Sequence, residues 1–289
     1  MASIDPNGVR ERDPPARNNS KASNKKDFKI LMLHGYTQSG PLFRSKTRAL
    51  EKLLAKALSP LNITLTCLYP TAPLRLNARD IPGYVPPGSG SGDDDDSSRH
   101  HPAEETDPDA WAWFRRRDGP GPDPEITYAG IDDGMRALAS TIRDAGGVDG
   151  VVGFSQGGAM AALVASALDD APHGDRVPPA PHAGWAAALR DANGDRPLRF
   201  AAVYSGFFAT DPSLAWCYDP PIRTPTVHFL GSLDTVVEEG RSRALIDRCV
   251  DPVVVVHPGG HYVPISKEWA MALAGFVKQY AQDETKAAL

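Results

Sequence analysis

Cysteine is scarce in this 289-residue chain: Cys67, Cys217 and Cys249 are odd in number, widely spaced and form no C-x-x-C pair. That excludes a disulfide framework and a cysteine zinc site, and predicts a reduced, cytoplasmic setting. Long apolar runs are missing too. No stretch reaches the roughly 18 residues a membrane-spanning helix needs, and the polar first 27 residues hold no secretion-signal core. Nor is there an excess of positive charge. With 31 Lys and Arg against 36 Asp and Glu, a net charge of −5 offers no broad basic face for nucleic acid. Finally, 26 Gly and 27 Pro interrupt the chain too often for a long helical bundle or coiled coil.

The breakers are unevenly placed. Sixteen of the 27 prolines fall in residues 1–27, 81–124 and 172–197. Residues 1–27 have almost nothing apolar to bury and are expected to be a disordered tail, and 283–289 are expected to be a C-terminal tail. The stretches at about 81–124 and 170–197 are expected to be insertions in a single domain over 28–282. Between 80 and 110 nine acids stand against Arg99, among them the run Asp93 to Asp96 beside His100 and His101. That run lacks the spaced grammar of a calcium loop, so no metal site is expected and a solvated loop is.

Elsewhere, short β-branched runs alternate with longer helical patterns. Strands are expected at 28–33, 63–69, 148–154, 199–205, 225–231 and 253–257. Helices are expected at 43–58, 128–145, 156–168, 238–249 and 266–282. That order specifies an α/β fold, a mostly parallel central sheet with helices on both faces, in which ligands bind at the carboxyl ends of the strands.

Gly153-Phe154-Ser155-Gln156-Gly157 follows one such strand and opens a helix. In G-x-S-x-G the chain reverses so sharply at the serine that only small residues fit two places either side, and the serine is lifted into the cleft. A serine hydroxyl needs a base, and the base needs a carboxylate to fix its tautomer. Asp234 stands after the strand ending in Leu230, and His261 after the strand ending in His257. The order Ser155, Asp234, His261, each at a strand's carboxyl end, is that of the α/β-hydrolase fold. Glu238, Glu239, Asp247 and Asp251 compete as acids but read as solvated charges of a helix. His228 and His257 read as strand residues, and His100, His101, His173 and His182 belong to the insertions.

The second amide of an oxyanion hole is expected from Tyr36, in the His34-Gly35-Tyr36 loop after the first strand, and the first from Gln156. His34 reads as a buried residue fixing that loop. Neither G-x-G-x-x-G nor a Walker lysine follows this strand, which excludes phosphate cradling. Trp111, Trp113, Phe114, Phe207 and Tyr262, with Phe208 and Trp216, are candidates for an apolar acyl pocket, which Ser205 would also line; core packing competes for each. Arg115, Arg116 and Arg117 read as a solvated loop in preference to an anion-attracting site.

The ILMLHGYTQSG opening, Tyr69-Pro70-Thr71-Ala72-Pro73, Trp111-Ala112-Trp113-Phe114, GFSQGGAMA, Tyr204-Ser205-Gly206-Phe207, Gly231-Ser232-Leu233-Asp234 and HPGGHYVP together resemble the FSH ("family of serine hydrolases") group of the α/β-hydrolases. The resemblance covers about 28–282 apart from the insertions. It implies the triad and oxyanion hole named above, and ester or thioester hydrolysis of a small acyl substrate without metal or organic cofactor. Some fungal members look like thioesterases that release polyketide chains from an acyl-carrier protein and others are general esterases, so that choice stays open. A silent hydrolase fold serving as receptor or scaffold is the alternative of a different class.

Overall fold

The computed structural model describes residues 25–83, 108–122, 124–169 and 176–282. The tail over 1–24 and 283–289, the Asp93 to Asp96 run with its histidines, and His173 lie outside the described residues. Lys26 and Asp27, assigned to the tail, already belong to the first strand, because their partners on the neighbouring strand extend that far.

The elements run β1 (Lys26–Leu33), α1 (Gly40–Leu58), β2 (Ile63–Leu68), β3 (Leu74–Arg75), β4 (Trp111–Ala112), β5 (Arg115–Asp118), β6 (Ile126–Ala129), α2 (Ile131–Asp144), β7 (Gly150–Phe154), α3 (Gln156–Asp169), α4 (Ala180–Ala192), β8 (Phe200–Tyr204), β9 (Thr226–Gly231), α5 (Glu239–Ile246), β10 (Val253–His257) and α6 (Lys267–Gln282). Six strands form one sheet in the order β10-β9-β8-β7-β1-β2, every pair parallel.

Alternation along the strands divides the core. Leu31, Leu33, Val151, Ala201 and Val203 join the cluster containing α2, α3 and α4 residues. Ile30, Met32, Val152, Ala202 and Phe229 join the cluster on the α1 and α6 face. A two-residue period sends neighbours to opposite faces, which is why these strands read as unbroken apolar runs. Helix α3 is buried over Gln156–Leu168, because it meets β7 and β8 on one side and α4 on another.

Three sequence expectations change. The helix expected at 128–145 is a strand followed by a helix from Ile131, because Gly130 takes φ +84 and turns the chain between them. The stretch at 170–197 contains α4, with Pro181 in its first turn, where the missing N–H costs nothing. Trp185 and Leu189, on α4, are fully buried. Within 81–124, Ala110, Ala112, Trp113 and Phe114 are buried, and β4 and β5 pair with β3 and β6. Proline content had hidden apolar residues at helical and strand spacing.

The sheet order positions the site. From β1 the chain passes outward to β2, then returns to the other side of β1 as β7. The loops leaving β1 and β7 therefore diverge to opposite faces, and the crevice between them is where open parallel sheets bind ligands. Those loops carry His34-Gly35-Tyr36 and Ser155.

Candidate active site

Ser155 sits between β7 and α3 with φ +53, a left-handed conformation that costs a residue with a side chain energy. The reversal packs the flanks together. A Cβ on Gly153 would stand 2.0 Å from the Gly157 carbonyl oxygen, and one on Gly157 would stand 2.3 Å from the Leu33 carbonyl oxygen. Only glycine fits at either place.

Asp234 leaves β9 and His261 leaves β10. Their loops are tied by the Ser232 amide donating to the His257 carbonyl at 2.9 Å and the Leu233 amide donating to the Gly259 carbonyl at 3.0 Å. The imidazole of His261 lies with Nδ1 2.8 Å from Asp234 Oδ2 and Nε2 2.9 Å from Ser155 Oγ. An ionised carboxylate can only accept, so it draws the ring proton to Nδ1 and leaves Nε2 free to take the serine's. Asp234 Oδ1 accepts from the amides of Val236 and Val237, each at 2.9 Å. Burial pushes its carboxyl up, but the bonds from His261 and those amides outweigh it and hold it below the usual range.

The loop after β1 is braced from two sides. His34 Nδ1 lies 2.8 Å from the Gly35 carbonyl and Nε2 accepts from the Ala72 amide at 3.0 Å. A carbonyl only accepts and an amide only donates, so the ring is neutral with its proton on Nδ1. Trp113 Nε1 donates to the His34 carbonyl at 2.9 Å. The side chain of Gln156 was not singled out in the sequence. Its Oε1 accepts from the Trp113 amide and its Nε2 donates to the Phe114 carbonyl, both at 2.8 Å, clamping this segment to the serine turn. The backbone amides of Tyr36 and Gln156 have no acceptor among the described residues.

Two cavities meet the site. One of about 510 Å³ is lined by His261, Phe43, Phe154, Tyr262, Ile265 and Trp269 among others. The second, of about 460 Å³, is lined by Ser155, Tyr36, Gln156, Phe114 and Phe207, and by arginines. Of the five aromatic pocket candidates, Phe114, Phe207 and Tyr262 thus line cavities. Trp111 and Trp113 line neither: Trp113 is fully buried with its indole committed to His34, and Trp111 lies under Arg75. Phe208 and Trp216 pack on Tyr218 and Trp185, away from both, and Ser205 is buried at the end of β8. Arg115 and Arg116, expected in a solvated loop, belong to β5 and line the second cavity.

A second serine, histidine and acid cluster, His182 on α4 with Ser213, Asp211 and Asp132, is wired differently. His182 Nδ1 is shared by the Trp185 indole N–H at 3.0 Å and Asp132 Oδ1 at 3.1 Å, and its Nε2 lies 2.9 Å from Ser213 Oγ. Ser213 donates its own proton to Asp211 at 2.5 Å and lines neither cavity. Among the described residues no cluster of three or more His, Cys, Asp or Glu could hold a metal.

The family model described as "Serine hydrolase (FSH1)" matches residues 23–273. The chain belongs to that family. An uncharacterised hydrolase of Schizosaccharomyces pombe is 30% identical to this FSH1-family chain over 257 residues, 89% of it and 52% of the relative. The chain also covers 47% of a 28% identical S. pombe protein named dihydrofolate reductase, so it spans about half the length of these two relatives. Family of serine hydrolases 2 of Saccharomyces cerevisiae is 28% identical, over 88% of the chain and 96% of the relative. In fold, the FSH1-family chain is similar to Zea mays acyl-protein thioesterase 2, with a TM-score of 0.50 at 20% identity, covering 89% and 94% of the two chains. No described helix is long and apolar enough to cross a membrane.

Burial of histidines in this frame has a measurable consequence. His34 and His228 are both held down to about 4 by desolvation. Between the free value of 6.5 and about 4 the unfolded chain binds protons that the native chain refuses, so stability falls as pH falls through that window. Carboxylates held low, such as Asp234, lose their contribution only below about 3.8. From pH 7 to pH 5 the two histidines are therefore expected to remove roughly 4 kcal/mol. Urea unfolding at the two pH values checks this; an unchanged midpoint would show that these rings protonate in the folded state.

Proposed function

We propose that this chain hydrolyses carboxylic esters or thioesters through an acyl-enzyme. In this reading Ser155 Oγ attacks the carbonyl carbon as its proton passes to His261 Nε2, and Asp234 stabilises the imidazolium. The amides of Tyr36 and Gln156 receive the oxyanion, aided by the positive end of α3. His261 returns its proton to the leaving oxygen or sulfur, then takes one from water, which attacks the acyl carbon and frees the acid.

The run of two hydrogen bonds from Asp234 through His261 to a serine on a glycine-flanked turn carries this reading. The wild-type chain is expected to form a covalent adduct with a fluorophosphonate at Ser155. A folded chain that forms none would favour the silent receptor or scaffold instead. Carrier-bound thioesters enter the proposal through the family resemblance. They are tested by comparing an acyl-pantetheine thioester with an oxygen ester of the same acyl chain: turnover of the oxygen ester alone would count against a carrier-releasing role. A reduced, cytoplasmic setting is also part of it, supported by free Cys67, Cys217 and Cys249, of which the last two are buried.

A further inference from the structure

The two cavities differ in chemistry. The one lined by His261 is walled by Phe43, Phe154, Tyr262, Ile265 and Trp269, with Lys46 the one lysine or arginine among the described residues that line it. The one lined by Ser155 brings in Arg115, Arg116 and Arg241 against one acid, Asp80. Asp80 is already engaged: its Oδ2 holds Arg115 at 3.1 Å and accepts from the Asn77 amide at 2.9 Å. Arg116 spends Nε on Asp118 at 2.8 Å, leaving its terminal nitrogens. Arg241 pairs with no carboxylate among the described residues. Its neighbour Glu239 is taken by Arg243 at 2.9 Å. The Arg241 guanidinium carbon lies 4.3 Å from the ring centre of Phe207, another wall of the same cavity. Contact with a ring face leaves the in-plane N–H groups of a guanidinium to other partners.

Resting on the hydrolase reading above, the halves of a substrate can be assigned. The leaving atom must come within reach of the His261 nitrogen that protonates it, which puts the leaving group in the apolar cavity. The carbonyl oxygen goes to the amides of Tyr36 and Gln156, and the acyl substituent enters the cavity those two residues line.

We propose that this cavity selects acyl groups carrying a remote carboxylate, with Arg241 as principal anchor and Arg116 beside it. The preferred substrates are then monoesters or monothioesters of dicarboxylic acids with an apolar leaving group. The acyl C–O or C–S bond breaks, His261 protonates the departing atom, and water supplies the oxygen of the new carboxylate. A bidentate guanidinium is the donor whose geometry matches a carboxylate.

The test compares kcat/KM for the p-nitrophenyl monoester of glutaric acid with that for p-nitrophenyl pentanoate, which has the same chain length. Wild type is expected to favour the glutaryl ester at least tenfold. Arg241→Gln is expected to lower that ratio roughly tenfold, chiefly through KM, the effect of losing a hydrogen bond to a charged group, and Arg241→Lys to keep part of it. A third substrate, 4-carboxyphenyl pentanoate, carries its charge in the leaving half, and its ratio to p-nitrophenyl pentanoate should not fall in Arg241→Gln. Pentanoate turnover with no glutaryl preference, or an Arg241→Gln ratio equal to wild type, would overturn the assignment. A fall with the third substrate in place of the glutaryl ester would overturn the orientation. If neither ester turns over and no fluorophosphonate adduct forms, the hydrolase reading fails and takes this one with it.

Discussion

Ser155→Ala is expected to abolish fluorophosphonate labelling and to lower kcat for a p-nitrophenyl ester by about 10⁶, leaving only what binding and oxyanion stabilisation supply without a nucleophile. The size follows from the chemistry, since the acyl-enzyme route needs an oxygen at that one position and, among the described residues, Ser155 supplies the hydroxyl bonded to His261 Nε2. Stability should move little. Alanine tolerates φ +53 no better than serine, and although His261 Nε2 loses its partner, that nitrogen is only part-buried at the cleft, where water can take the place of the hydroxyl. Matching urea midpoints with lost labelling would separate this from unfolding. A mutant that still labels at wild-type rate would refute Ser155 as nucleophile.

The sheet and the candidate triad were legible in the sequence because each rests on short-range rules. Parallel strands buried on both faces show as Val- and Leu-rich runs, and the serine turn shows as Gly153 and Gly157 because no larger residue clears the facing carbonyls. What was illegible depended on partners far along the chain. Gln156 clamps Trp113 and Phe114 across more than forty residues, and no local pattern marks a glutamine amide for that role. Trp113 stays open between pocket and core in the sequence because an indole in a loop can serve either, and only the carbonyl of His34 decides it. Helix α4 was lost inside a proline-rich stretch, although Trp185 and Leu189, four apart, lie on one helical face. The arginines of β5 read as solvated because a run of three like charges says nothing of the strand that aims two of them at a cavity.

Asp234→Asn should cost about 10⁴ in kcat, a smaller loss than the serine's, with no change of shape. The two oxygens of Asp234 have different duties. Oδ1 accepts from the amides of Val236 and Val237, and Oδ2 faces Nδ1 of His261. An asparagine must keep its carbonyl on the two amides, since an NH₂ group there would meet two donors with a third. Its NH₂ then faces Nδ1, which can respond only by giving up its proton and accepting. The imidazole settles into the tautomer protonated at Nε2, and the nitrogen that should receive the serine's proton now offers one. The loss should therefore appear in kcat, with KM for the same ester little changed, because nothing that touches the bound acyl chain has moved. Asp234→Ala separates tautomer from charge. It removes the carboxylate without installing a competing donor, so the ring is free to sample both tautomers, and its activity is expected to exceed that of Asp234→Asn. Equal or lower activity for the alanine variant would mean that orientation and charge, and not the position of one proton, are what Asp234 supplies.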